Sequence, residues 1–580
     1  MKASILMALT VALVLLAVAH PMRAWSNDAY FASENRVTID VDASRTVGRI
    51  RSLQGVNGGP VPQGSNFALL YDQYRQIGVD FVRTHDDIAF DINVVFPNME
   101  ADPSNEASYD FGSTDVEVQG IISVGAQILY RLGYSWGERN DVPSDYAKFA
   151  EICRHIVMHY NDGWANGFHY GIRYWEIWNE PNISIYWKGT PEQYFRLYDI
   201  VARTLKAADP EIRVGGPALI WGGLRPPAFL EEFLKFCRTN KSPLDFVSWH
   251  IYPETQPYFV AEAAHQIQDL LTKYGFENAE NLITEWNFSA RDSIAERWNA
   301  RGAAWASSAL VYLQDTSVSG AYWYRGPFSS GGFSLFLDNG DFKKSGYAFL
   351  AMKKMLETPV RLACNGSDKA GFATLAGRSE SNHILRVLIS NYDSEYGEFT
   401  LTLKNLDWPV STFQAEIYVL NDTYDLALID QFQLAKTDPL TITREITPSS
   451  VYLISFEPKE GATETTTQQT TTITTQQSTT QTTTTTTTTQ QSTTSTTQAT
   501  TATTTQVGPG PGIGFAFAVI GIGAAAAGAG AGIAAGSRPR SARSEVFTYA
   551  GYYYCRKHRT PVLYVQGQLW CPVEQRYLRP

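Results

Sequence analysis

Between residues 40 and 355, short apolar runs alternate with longer amphipathic ones, and that rhythm limits the folds open to the chain. The runs are LQGVNG (53–58), VDFVRTH (79–85), AQILYRL (126–132), IRYWEIW (172–178), IRVGGPA (212–218), LDFVSWH (244–250), NLITEW (281–286) and VSGAYWY (318–324). The stretches between them carry helical periodicity, as in 144–160, read with Ser144 as its cap, and 190–208, where Thr190-Pro191-Glu192 is a helix start signal. Eight strands, each followed by a helix, predict a (β/α)8 barrel over residues 45–357. A doubly wound sheet would want a glycine-rich phosphate turn after its first strand, and GVNGGP matches that poorly.

The texture changes on both sides of this region. Residues 358–458 alternate apolar and polar without helices, and NRVTIDVDAS (35–44) shares the pattern, so the two are predicted to form an antiparallel β-sandwich. From 459 to 511 Thr, Gln and Ser take over. That composition cannot bury enough apolar surface to offset chain entropy, which predicts a disordered stalk.

Residues 1–25 have an early lysine and an apolar stretch from Ile5 to Ala19, the pattern of a secretory signal peptide. An uncharged Gly/Ala-rich segment at 512–536 is long enough for a transmembrane helix, and Arg538, Arg540 and Arg543 beyond it assign the C-terminal side to the cytoplasm. The expected location is therefore the cell membrane, single-pass, with the barrel extracellular. The basic tail, 537–580, contains Cys555-x-x-His558 and Cys571-x-x-Glu574, whose spacing suggests a small zinc ribbon with Cys555, His558 and Cys571 as metal ligands; reduced thiols in an aromatic tail are the alternative.

The chain has 5 cysteines, and only Cys153, Cys237 and Cys364 precede the stalk, so this is not a disulfide scaffold. A net charge of −11 argues against a nucleic-acid partner.

In a barrel enzyme the C-terminal strand ends share one mouth. This chain places Arg83, His85, Asp86 and Asp87 after strand two, Asn179 and Glu180 after strand four, and His250 and Tyr252 after strand six. Glu285 and Trp286 close strand seven, and Trp323, Tyr324 and Arg325 close strand eight. Two carboxylates among aromatic and polar groups suit glycosidic cleavage, where one protonates the leaving oxygen and the other acts on the anomeric carbon. Glu176 is a rival, but it lies four residues earlier, about 13 Å deeper at ~3.3 Å per residue. Pro181 is read as ending strand four.

VRTHDD (82–87), YWEIWNEPN (174–182), SWHIYP (248–253) and LITEWNFS (282–289), in this order along the chain, resemble glycoside hydrolase family 39, which includes β-xylosidases and α-L-iduronidases of the barrel glycosidase clan A. The resemblance covers about residues 35–457. It implies a retaining O-glycosyl hydrolase with Glu180 as general acid/base and Glu285 as nucleophile, acting on extracellular oligo- or polysaccharide and needing no cofactor for catalysis. It further implies that Asn179 bonds the sugar 2-hydroxyl, that His250 and Tyr252 line the site and that His85 contacts the glycone. Trp286 and Trp323 are expected to face the sugar. RTHDD (83–87) departs from the RFHG type expected of the family's xylosidases. Besides a β-xylosidase-like activity, the sequence leaves open an α-L-iduronidase-like one served by Arg83 or Arg325, an endo-acting hydrolase and a non-catalytic carbohydrate-binding protein. Sequons at Asn182 and Asn287 adjoin the site and are expected to be unmodified, unlike those at Asn240, Asn365 and Asn421.

Overall fold

The computed structural model describes residues 35–459, apart from 62–66, 138–139, 222–226, 292–293, 330, 380–382 and 409, together with short strands between 546 and 578. The signal segment, the stalk, the apolar segment 512–536 and His558 lie outside the described residues. Among the described residues no helix is long and apolar enough to cross a membrane.

Eight parallel strands close into a barrel: Gly55–Asn57, Phe81–Arg83, Gln127–Leu132, Tyr174–Ile177, Arg213–Trp221, Phe246–Ile251, Glu280–Trp286 and Val318–Trp323. The last pairs with the first through Gly55 opposite Tyr322. Each predicted run supplied one strand, because a parallel strand covered by helices must be apolar along its length.

The intervening helices are capped much as their sequences suggest. Thr190 and Gln193 form a reciprocal capping box at the start of Pro191–Ala208, whose buried stripe includes Tyr194, Leu197, Tyr198, Val201 and Leu205. In Tyr146–Asn161 the cap is Asp145 rather than Ser144: its carboxylate accepts from the Lys148 N–H at 3.0 Å. The cap thus falls one residue later than expected, on the carboxylate that reaches the orphan amide.

The predicted sandwich is one continuous sheet of nine strands. Its strand Arg36–Arg49 continues past residue 44 and pairs antiparallel with Val360–Asn365 but parallel with Glu398–Lys404, so the sheet is mixed rather than purely antiparallel. The sheet curls around its own core, where Ile39, Val41, Val387, Leu401, Phe413, Ile417 and Phe456 meet. A sheet curled in this way, with one apolar face packed on itself, fits the predicted sandwich domain.

The sheet rests on the barrel through helix Ala300–Tyr312, an Ala/Ser-rich segment buried on nearly every side. Ser308 Oγ donates to Gly371 O at 2.9 Å, Ser390 Oγ to Ala304 O at 2.8 Å and Tyr312 OH to Phe372 O at 3.1 Å. Small side chains allow a helix to be contacted from two sides at once. Cys153, Cys237 and Cys364 are free thiols.

The C-terminal unit, described by itself, has the hairpin Val546–Tyr549 and Tyr552–Cys555 and a three-stranded sheet of Leu563–Val565, Gln568–Cys571 and Arg576–Leu578. Cys555 and Cys571 therefore end strands of different sheets. With His558 undescribed, nothing in the fold supports a zinc ribbon there.

Candidate active site

The barrel interior is layered, and the layers explain what reaches the mouth. At the N-terminal end Leu129, Phe246, Leu282 and Tyr322 form an apolar plug, with Phe81 and Tyr174 against it. Above it lies a buried ion pair, Arg83 Nε to Glu176 Oε2 at 2.6 Å, both side chains fully inaccessible. Glu176 is thus a structural counter-ion inside the barrel, as its depth along the strand implies.

Arg83 uses its whole fork. Nη1 donates to Glu285 Oε1 at 2.7 Å and to Asn57 Oδ1 at 3.1 Å, and Nη2 donates to Asn179 Oδ1 at 2.7 Å. One guanidinium thereby orients four residues, from strands one, four and seven and the turn after strand four.

Strand four ends at Ile177, before Pro181. Trp178 at φ 74° and Glu180 at φ 43° are both left-handed, and the Glu180 N–H donates to Ala218 O at 3.0 Å. The left-handed turn, rather than the missing proline N–H, ends the strand and aims Glu180 across the mouth. Two non-glycine residues in that region carry strain, which is commonly stored at functional sites.

Glu180 and Glu285 are both buried, and an oxygen of each, with a ring nitrogen of His250, all lie within 4.8 Å of one another. His250 Nδ1 is 2.7 Å from Glu180 Oε1 and 3.5 Å from Glu285 Oε2, while its Nε2 is 3.2 Å from Thr284 Oγ1. Tyr252 OH donates to Glu285 Oε2 at 2.5 Å. His85 Nε2 lies 3.6 Å from Glu285 Oε1, and its ring packs on Tyr186 with centroids 5.8 Å apart.

Electrostatics separates the two carboxyls. Burial and the neighbouring Glu285 push Glu180 well above the ordinary range, helped by Asp86. Burial also pushes Glu285 up to about 7, but the Arg83 charge and the Tyr252 hydrogen bond oppose that, so Glu285 is the one that ionises first. Burial, reinforced by Arg83, holds His250 and His85 well below the usual imidazole range, so both rings are neutral.

Among the described residues, Glu180, His250 and Glu285 are the cluster tight enough to hold a metal ion. Glu285 is already neutralised by Arg83, and Glu180 is held against His250, so the donor set suits proton transfer better than a cation.

Trp286 and Trp323 do not face the sugar as expected. Along strand eight Tyr322 points into the barrel plug, so Trp323 points outward, onto Trp286 at 4.8 Å and Phe349 at 5.8 Å. Trp286 packs on Trp305 of the covering helix. The inward neighbour is Tyr324, whose OH donates to Asp86 Oδ2 at 2.5 Å; Asp86 Oδ1 accepts from the Trp136 N–H at 2.8 Å. Asp86, Tyr324 and Tyr186 belong to the site without having been assigned a role from sequence. The period-two alternation from Tyr322 was the signal for Tyr324; nothing local marks Tyr186.

Asn182 and Asn287 are committed to structure. Asn182 exchanges hydrogen bonds with the Ile220 backbone, and Asn287 is fully buried and donates to Tyr324 O at 2.5 Å and Phe333 O at 3.1 Å.

A closed parallel barrel with glutamates after strand four and at the end of strand seven, bridged by His250, defines the class of barrel glycosidases. Residues 39–324 match the model of "Glycosyl hydrolases family 39", and the chain belongs to that family. It is 30% identical to a β-xylosidase of Geobacillus stearothermophilus over 203 residues, covering 32% of this chain and 38% of the relative. To a β-xylosidase of Caldicellulosiruptor saccharolyticus it is 28% identical over 198 residues, 31% of this chain and 37% of the relative. The aligned stretch is thus little more than a third of these relatives' length. Among solved structures, a glucosidase from Croceicoccus marinus superposes with a TM-score of 0.66 at 27% identity, covering 73% of this chain and 99% of that one.

Proposed function

We propose that the chain is a retaining glycoside hydrolase of the β-xylosidase type, with Glu285 as nucleophile and Glu180 as general acid/base. The observation that carries the reading is the approach of the two carboxyl groups, with oxygens within 4.8 Å. Retaining enzymes hold their carboxyls about 5–5.5 Å apart, whereas inverting ones need about 6.5–9.5 Å to admit a water.

In the first step Glu180 protonates the leaving oxygen while ionised Glu285 attacks the anomeric carbon. Arg83 and Tyr252 hold Glu285 on both oxygens, which fixes the lone pair that attacks. Having given its proton to the leaving group, Glu180 is a carboxylate; once Glu285 is esterified its charge is gone, so Glu180 stays ionised and takes a proton from the incoming water.

Relatives named β-xylosidases and a structural relative named a glucosidase both point to a neutral glycone. An α-L-iduronidase-like reading needs a cation for the substrate carboxylate. Arg83 is fully buried and already engaged by Glu176, Glu285, Asn57 and Asn179, which leaves Arg325 as the cation such a reading would have to use.

The test is hydrolysis of aryl glycosides, among them β-xyloside, β-glucoside, α-arabinoside and α-iduronide, by the chain and by its Glu285→Ala variant with azide. Loss of activity in the variant and its return as an inverted glycosyl azide support the retaining assignment. A variant that keeps full activity would sink it.

Export and tethering are part of the proposal, resting on the apolar segments 5–19 and 512–536 and the stalk between barrel and tail. External protease acting on intact cells should release the glycosidase activity into the medium. Activity that stays cell-associated in an alkali-soluble, protease-protected form would contradict it.

A further inference from the structure

A cavity of about 470 Å³ is lined by none of the residues that tie Glu180 to Glu285. Its walls come from the loop after strand eight, from Trp298 before the covering helix and from Asp425 of the curled sheet. Its size is that of a small-molecule site, about 300–1,000 Å³.

The chemistry of the lining is specific. Trp298 and Leu337 are exposed large apolar side chains at the opening, with Phe328 and Phe342 further in. The Trp298 ring lies against Gly332, where a Cβ would come within 2.4 Å of it, so the loop backbone supports one side of the indole. Such flat apolar surfaces suit the C–H face of a pyranose.

Lys343 forms the floor and is 7% exposed. Its ammonium donates to Ser334 Oγ at 2.8 Å and Gly332 O at 3.2 Å, and no carboxylate among the described residues forms an ion pair with it. Burial and the nearby Arg297 bring it down to about 8, so the charged form still predominates at neutral pH. Buried charges are ordinarily paired, and here one of three ammonium donors has no acceptor among the described residues. Lys344, at the rim, is already paired with Asp425 at 2.7 Å.

We infer that this cavity is a second carbohydrate site, which takes a uronic acid unit of an acidic polysaccharide with its ring on Trp298 and its carboxylate on Lys343. It stands apart from the reaction assigned to Glu180 and Glu285, and would hold a charged branch of a polymer while another part of the polymer is cut.

The test is calorimetric titration of the full-length chain carrying Glu285→Gln with D-glucuronate, D-glucose and acetate. Glucuronate should bind at least tenfold more tightly than glucose, which lacks the charge, or acetate, which lacks the ring. Trp298→Ala and Lys343→Met should each weaken glucuronate tenfold or more, and Lys343→Arg should restore most of the loss. In the chain with Glu285 intact, the same substitutions should leave hydrolysis of a small aryl glycoside within twofold, which also reports that the variants fold. Glucuronate binding unchanged in Trp298→Ala, or glucose or acetate binding as tightly, would overturn the assignment.

Discussion

Arg83 donates to Glu285 at 2.7 Å from a side chain that solvent does not reach, and the same guanidinium neutralises Glu176 beneath it. Glu285, the proposed nucleophile, is therefore part of a buried three-member charge network. Replacing Arg83 with Met should leave two buried carboxylates unpaired and cost about 3–5 kcal/mol of stability, measurable by urea unfolding. Arg83→Lys should retain the charge yet lose most of the turnover, because an ammonium cannot bond Glu176, Glu285 and Asn179 in one plane.

Glu180 is assigned the proton donated to the leaving group, so its loss should depend on what leaves. Glu180→Gln should lower kcat/KM on an alkyl xyloside by about 10²–10⁴-fold. A dinitrophenyl xyloside, which departs without protonation, should suffer far less in its first step. Equal losses on both substrates would remove Glu180 from the acid role.

The pH dependence follows from the order of the two carboxyls. Activity needs Glu285 ionised and Glu180 protonated. Since Glu285 sits at about 7, kcat/KM should fall as pH drops through that value, and it should fall again at higher pH as Glu180 loses its proton. Asp86 raises both groups, so Asp86→Asn should move both limbs to lower pH. A profile that stays in place would mean that solvent screens Asp86 from the pair.

Glu117 offers a stability test away from the nucleophile. Burial, with Asp87 adding to it, pushes this carboxyl up to about 9, against Arg325. The folded chain holds a proton there that the unfolded chain releases above about pH 4.5. Stability from this group is present below that value and is lost as pH rises towards 9. Glu117→Gln should flatten the decline and raise Tm by about 2 °C or more at pH 8.

The curled sheet is predicted to be indispensable for the barrel. Helix Ala300–Tyr312 is buried from two sides, and Leu375, Leu388, Val451 and Leu453 of the sheet belong to the barrel's own core cluster. A chain lacking residues 360–458 would expose that surface and should be recovered as aggregate. Soluble, active protein would show that the helix does not depend on its outer cover.

The barrel was legible because its signal is local. Each strand is an apolar run and each helix an apolar stripe, and both can be read a few residues at a time. The candidate pair was legible for the same reason, since Glu180 and Glu285 each stand at the end of a run, and Glu176 was separated from them by depth along a single strand. The choice between Ser144 and Asp145 as a cap turned on one residue of offset, which periodicity does not resolve.

What the tertiary structure decided is which side chains from distant strands meet. Trp286 and Trp323 sit beside functional positions yet point outward, Trp323 by alternation from Tyr322 of the barrel plug and Trp286 after an irregularity in the pairing of strand seven between Ile283 and Trp286. Asp86 becomes a site residue only where Tyr324, 238 positions later, donates to it. The turn that aims Glu180 depends on a backbone bond to Ala218 on the next strand. By itself the sequence determined the order and kind of the elements and the two glutamates at their ends, because these follow from neighbouring residues. Pairing, facing and proton affinity came from closure of the barrel, which brings charges from strands two, four and seven into one water-poor volume where each sets the ionisation of the others.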